Sequence, residues 1–201
     1  EYLIARDGLP PRRGAAYDYV LAGDGLFVAT ENRYLAVRIP VADATVRGLP
    51  PVYPAFTLQT GRLPWCLWKH IVAVAQIHSD TEVLLVVTYE SSGYQLRLPA
   101  QVTGPLSVTY RPASDAVLEI HSHRHFPASF SATDNADERG FRIYAVIGCL
   151  DSDHPEVALR VGVYGHFMPV PWEAVFDGNR TPFRDINFDL PEEVSMEPSD
   201  D

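Results

Sequence analysis

The feature that most restricts the fold is the run opened by Glu82, Val83-Leu84-Leu85-Val86-Val87, an unbroken aliphatic and β-branched stretch. A strand apolar on every residue must be covered on both faces, which places it inside a sheet rather than at a solvated edge. The segment before it has a different period. Pro64 suits a helix start, and Trp65, Trp68, Ile71, Val72 and Ala75 recur at helical spacing up to about His78-Ser79-Asp80. Leu67 and Val74 make the other side apolar as well, so the helix is expected to be buried over most of its girth.

Further strands are expected at Tyr94–Leu98 after the turn Ser91-Ser92-Gly93, and at Leu106–Tyr110, Ala116–His121, Phe141–Cys149 and Val157–Tyr164. A short helix from Ser131 to Arg139 is closed by Gly140. Residues 1–60 show only short extended pieces (Tyr19–Leu21, Leu26–Ala29, Tyr34–Ile39) between Gly and Pro turns. Strands with a few interspersed helices give a mixed α/β (α+β) domain. The expected organisation is a β-rich cap over 1–60, a principal domain over 61–178, and an acidic, disordered tail over 179–201.

Charge and cysteine usage narrow the function classes. The formal net charge is −10, and eight acidic residues lie between Asp177 and Asp201 against only Arg180 and Arg184. An acidic chain without a Lys/Arg cluster argues against nucleic-acid binding, whose affinity comes mostly from neutralised phosphates. No apolar stretch approaches the roughly 18–20 residues of a membrane span, and no secretory signal is visible. Cys66 and Cys149 stand far apart in apolar surroundings and read as reduced, buried thiols of a cytoplasmic protein.

The chemistry concentrates between Glu119 and Asp134. His121 and His123 lie two apart at a strand end, so both rings leave one face with Cα atoms roughly 6.5–7 Å apart. Imidazoles so placed can meet at one ion at Zn–N distances of about 2.0–2.1 Å. Asp134, in the first turn of the short helix, can bring a carboxylate to the same point. Two His and one Asp leave a tetrahedral zinc with an open position for water, the pattern of a catalytic site. Hydrolysis also needs a carboxylate base beside the metal but not on it. Glu82 is the candidate, since the start of its strand can lie beside the end of the His121 strand; Glu90 sits at the far, solvated end. Ser131 can donate to an oxyanion.

Each feature has a plainer reading. Ser131-x-x-Asp134 is also an ordinary helix cap, and an isolated His-x-His is often a surface pair. His125 is an alternative ligand, although it falls beyond the strand. His70, His78, His154 and His166 fit bonds to backbone or solvent.

The combined spacing His121-x-His123-x7-Ser131-x2-Asp134 resembles the signature of the JAMM (MPN+, JAB) metallopeptidases. Phe130–Glu138, Gly140–Val146 and Arg160–Phe167 are similar to the JAB-like family of bacterial PRTRC cassettes, over most of residues 15–176. The chain departs from many JAMM members in having Arg124, not Pro, directly after the second His. The resemblance implies an MPN/JAB-like (cytidine-deaminase-like) mixed sheet flanked by helices. It also implies zinc on His121, His123 and Asp134, with Glu82 as base and Ser131 as oxyanion donor. The implied substrate is a ubiquitin-like protein, cut after its C-terminus in maturation or deconjugation, with a ThiF-like activating protein as a possible partner. The alternative is a non-catalytic MPN scaffold for the same system.

Overall fold

A computed structural model describes residues 1–104, 107–110, 114–178 and 184–185. The chain runs β1 (Tyr2–Ile4), β2 (Asp18–Ala22), β3 (Gly25–Glu31), β4 (Leu35–Asp43), β5 (Ala55–Leu58), α1 (Trp65–Ile77), β6 (Leu84–Glu90) and β7 (Gly93–Arg97). It continues with β8 (Gln101–Gly104), β9 (Ser107–Tyr110), β10 (Ala116–Ser122), α2 (Ala132–Asp137), β11 (Phe141–Gly148) and β12 (Glu156–Val163). β13 (His166–Pro169), α3 (Trp172–Val175) and β14 (Arg184–Asp185) complete it. The protein is a mixed α+β structure, mostly sheet with few helices. No helix among the described residues is long and apolar enough to cross a membrane.

The aliphatic run behaves as its composition requires. β6 lies inside the principal sheet, whose order is β13-β12-β11-β10-β6-β7, with β14 alongside β12. Its alternate residues serve two cores. Leu85 and Val87 enter the main core, while Leu84 and Val86 meet Ala116 in a small cluster on the opposite face. The strand starts two residues later than the run suggests, leaving Glu82 and Val83 just ahead of it.

β10 divides its side chains in the same way. Leu118 and Ile120 point into the main core. Glu119 and His121 belong to the other face, where Glu119 pairs with Arg142 of β11. β10 is antiparallel to β6 but parallel to β11. A parallel step needs a crossover, and the segment that provides it carries α2 over the face that bears His121.

The main core lies on the sheet's other side. α1 buries Leu67, Trp68, Ile71 and Ala75 there. Within it Trp68 meets Trp172 edge-on at 4.7 Å between ring centroids, and Trp172 stacks on Phe176 at 4.2 Å. The expectation of a helix buried around most of its girth does not hold. Lys69, His70, Ala73, Gln76 and Ile77 face outward, because α1 packs against a single layer. Cys66 shares this outer side and is exposed, and Cys149 is half-buried, so neither is the fully buried thiol its apolar neighbours suggest.

The first five strands form a second sheet in chain order, antiparallel except for the parallel pair β1–β2. Leu35, Val37 and Ile39 of β4 join the same core cluster as α1 and the principal sheet. β8 and β9 form a separate hairpin. The expected Leu106 start of β9 and most of the acidic 179–201 segment lie outside the described residues.

Candidate metal centre

Two sheet contacts fix the His pair. His121 stands opposite Leu84 of β6 and Val146 of β11 near the end of β10. One residue further on, Ser122 closes a reciprocal link to the chain ahead of β6. Its N–H donates to the Val83 carbonyl and its Oγ accepts from the Val83 N–H, both at 3.0 Å. His123 lies just beyond β10, its N–H bonded to the Ile147 carbonyl at 2.7 Å.

The loop after His123 is held tightly. Arg124 adopts φ 56°, a left-handed conformation that proline's ring forbids. Its Nε donates to the Ser79 carbonyl at 2.8 Å, tying the loop to the end of α1. On the β11 side the loop needs Gly148, since a Cβ there would lie 2.3 Å from the Phe126 carbonyl oxygen and 2.4 Å from the Ala128 nitrogen. That close approach places Pro127, whose carbonyl is 3.3 Å from His123 Nδ1. A carbonyl only accepts, so Nδ1 carries the proton and Nε2 presents its lone pair.

The functional atoms then converge. His121 Nε2 is 3.2 Å from His123 Nε2 and 3.3 Å from Asp134 Oδ1. One ligand atom from each of the three residues lies within 4.8 Å of the others. Two ligands about 2.0–2.1 Å from a tetrahedral ion stand about 3.3–3.4 Å apart. The spacings found here match that edge, so the His–His–Asp triad can hold a metal ion. Among the described residues, no fourth His, Cys, Asp or Glu joins the group.

Asp134 reconciles the cap and ligand readings. Ser131 caps α2: its Oγ accepts from the Asp134 N–H at 3.2 Å, and its own N–H donates to Asp134 Oδ2 at 2.6 Å. Oδ2 is therefore spent on the helix, while Oδ1 faces His121. Burial pushes the Asp134 carboxyl up, but the bond and charge of His121 and the bonds with Ser131 outweigh it, holding it well below the usual carboxylate range. Burial and the neighbouring His121 lower His123, which keeps its imidazole neutral and able to ligate. The Ser131 side chain is exposed at the mouth of α2.

Glu82 is half-buried at the rim, placed by the Ser122–Val83 link. Burial raises its carboxyl above the usual glutamate value of 4.5; Asp134 adds to the rise, while His121 and Arg124 oppose it. It thus shares the electrostatic environment of the triad without being one of its ligands. A divalent cation favours a nearby carboxylate, so adding zinc should pull the Glu82 titration back down. Carbon-13 detected pH titration of the metal-free and metal-loaded chain measures this directly. A Glu82 resonance indifferent to metal would separate it from the site.

The other candidates go elsewhere. Glu90 is exposed and pairs with Arg97. His125 meets Asp151 at 3.1 Å and is not among the converging ligands. His166 Nε2 lies 3.1 Å from the Tyr19 hydroxyl, and His70, His78 and His154 are exposed.

Two residues that frame the site carry only an indirect signal in the sequence. Gly148 could have been read as a strand-end glycine allowing close backbone approach. Arg160 stands alone in the apolar run Val157–Val163, where a buried charge must find partners. No protein-family model matches the chain, and no curated protein matches it.

Proposed function

We propose that the chain is a zinc-dependent peptidase or isopeptidase with an MPN/JAB-type domain. Its proposed substrate is a ubiquitin-like protein, cut after its C-terminus, and a ThiF-like protein is the proposed partner. The observation that carries the reading is the triad His121, His123 and Asp134, in which His121 Nε2 stands at tetrahedral edge distance from a ligand atom of each of the other two, beside a half-buried glutamate that is not a ligand. Two imidazole nitrogens and one carboxylate oxygen form a donor set suited to zinc. Bound there, zinc supplies Lewis acidity toward a scissile carbonyl.

The chain's own groups account for the proton movements. Glu82 accepts a proton from the attacking water and returns it to the departing amine. The Ser131 hydroxyl donates to the oxyanion as it forms. The sheet beside Glu82 also suits an extended substrate. β7 covers β6 only from Val86 to Glu90. At Leu84, both backbone groups are met by the Gln101 carboxamide instead of a strand, at 2.8 and 3.0 Å. A substrate segment pairing there would replace one side chain, in the manner of β-strand addition.

The test incubates the zinc-loaded chain with a ubiquitin-like protein bearing a C-terminal extension and reads products by mass spectrometry. The expected result is a single cut after the ubiquitin-like C-terminus that disappears on chelation and returns with zinc. A chain fully occupied by zinc that cuts neither the extension nor an isopeptide conjugate would favour the scaffold reading instead.

A further inference from the structure

α2 carries Asp134 yet has no apolar anchor. None of its six residues is buried, and a helix of that length does not hold its shape alone. What fixes it to the sheet is Arg160 of β12, which is 7% exposed. Arg160 Nε and Nη2 both donate to Glu138 Oε2, at 2.9 and 2.5 Å, and Nη1 donates to Asn135 Oδ1 at 2.6 Å. Its guanidinium plane lies between two rings, with Cζ 3.7 Å from the Phe130 centroid and 3.8 Å from that of Phe167.

These contacts bracket the ligand-bearing segment. Phe130 immediately precedes the cap residue Ser131, Asn135 immediately follows Asp134, and Glu138 is the C-cap of α2. The Phe130 ring also stands edge-on to His121, 6.5 Å between centroids. One guanidinium therefore fastens the segment before, after and beyond Asp134 to a central strand.

We propose that Arg160 is a positioning residue of the metal centre, setting where Asp134 Oδ1 meets the two imidazoles and hence the affinity and geometry of the bound ion. The inference rests on the metal-centre reading. Lysine cannot substitute, because a point charge neither forks between Glu138 and Asn135 nor stacks flat between two rings.

The test measures zinc affinity by chelator competition and the visible bands of the cobalt-substituted chain, alongside the thermal midpoint of the metal-free protein. Arg160→Lys should weaken zinc about 10- to 100-fold, as loss of an orienting partner does, and alter the cobalt bands. Asn135→Ala, at an exposed position, should weaken zinc about fivefold, the worth of one hydrogen bond. The chain should stay folded with a lowered metal-free midpoint, whereas a purely structural role would lower the midpoint and leave zinc affinity and the cobalt bands unchanged. If Arg160→Lys fails to fold, Asn135→Ala and Glu138→Gln carry the same readouts. Wild-type affinity and unaltered cobalt bands in the folded variants, with the metal still lost in Asp134→Asn, would overturn the role of Arg160 and leave the metal centre standing. A wild-type chain that takes up no metal would overturn both.

Discussion

Asp134→Asn is expected to lose the metal while α2 stays in place. The two carboxylate oxygens have separate duties: Oδ2 accepts from the Ser131 N–H and Oδ1 faces His121. An asparagine oxygen can still take the Ser131 bond, so the cap persists. What remains toward the ion is an uncharged NH₂ group with no lone pair to give. Structural zinc with four ligands is worth about 10–16 kcal/mol, hence about 3 kcal/mol per ligand and at least roughly 10²-fold in affinity. Asp134→Ala should lose the metal equally and fray α2 as well, because the cap partner goes too. Acidity alone should act late. The folded Asp134 carboxyl sits below its unfolded value of 3.8, so its contribution to stability is intact above that value and is lost only as pH falls through the lower folded one. Metal stoichiometry by mass spectrometry, with circular dichroism as the check on folding, reads both variants. Full zinc occupancy at wild-type affinity in Asp134→Asn would remove Asp134 from the ligand set.

The parts of this arrangement visible in the sequence are those set by local periodicity. A two-residue repeat puts His121 and His123 on one side, a continuous aliphatic run marks the interior strand, and Ser131-x-x-Asp134 marks a helix start. The sequence left that last pattern open between cap and ligand. The structure has both, because a carboxylate has two oxygens and the helix uses one. What was not legible depends on pairing between distant segments. Nothing local says that Leu84 stands opposite His121, and that register is what carries Glu82 to the rim of the site. Leu67 and Val74 widen the apolar face of α1 in the sequence, but the helix packs against a single layer that buries Leu67, half-covers Val74 and leaves Lys69, His70, Ala73 and Gln76 outside. Short edge elements such as β1, β5, β13 and α3 lack the length for a periodic signal and owe their form to neighbouring strands and rings. Arg160 is a different case. A lone guanidinium inside an apolar strand is a signal that buried partners exist, but their identity, Glu138 and Asn135 from a segment more than twenty residues earlier, follows only from the crossover between β10 and β11.

Glu82→Gln should retain the metal and lose about 10²- to 10⁴-fold in turnover, the usual worth of a positioned general base. The exchange keeps side-chain size and hydrogen-bonding capacity, and Glu82 is not among the converging ligand groups, so zinc uptake gives no reason to change. What disappears is the ability to take a proton. The wild-type carboxyl is suited to that task because burial raises it above 4.5, making it a better proton acceptor than a solvated glutamate. Only the ionised form accepts a proton, so activity should fall on acidification as Glu82 protonates, and this acid limb should vanish from whatever activity remains in Glu82→Gln. Because the active form carries the cation, the limb should lie below the titration of Glu82 in the metal-free chain, in line with the titration of Glu82 in the metal-loaded one. Glu82→Asp offers a graded comparison, because it retains the base but withdraws it by one methylene, and its turnover should lie between the other two. The decisive measurement is kcat at full zinc occupancy across a pH series for the three forms. Wild-type turnover in Glu82→Gln would require another proton acceptor and would remove Glu82 from the role.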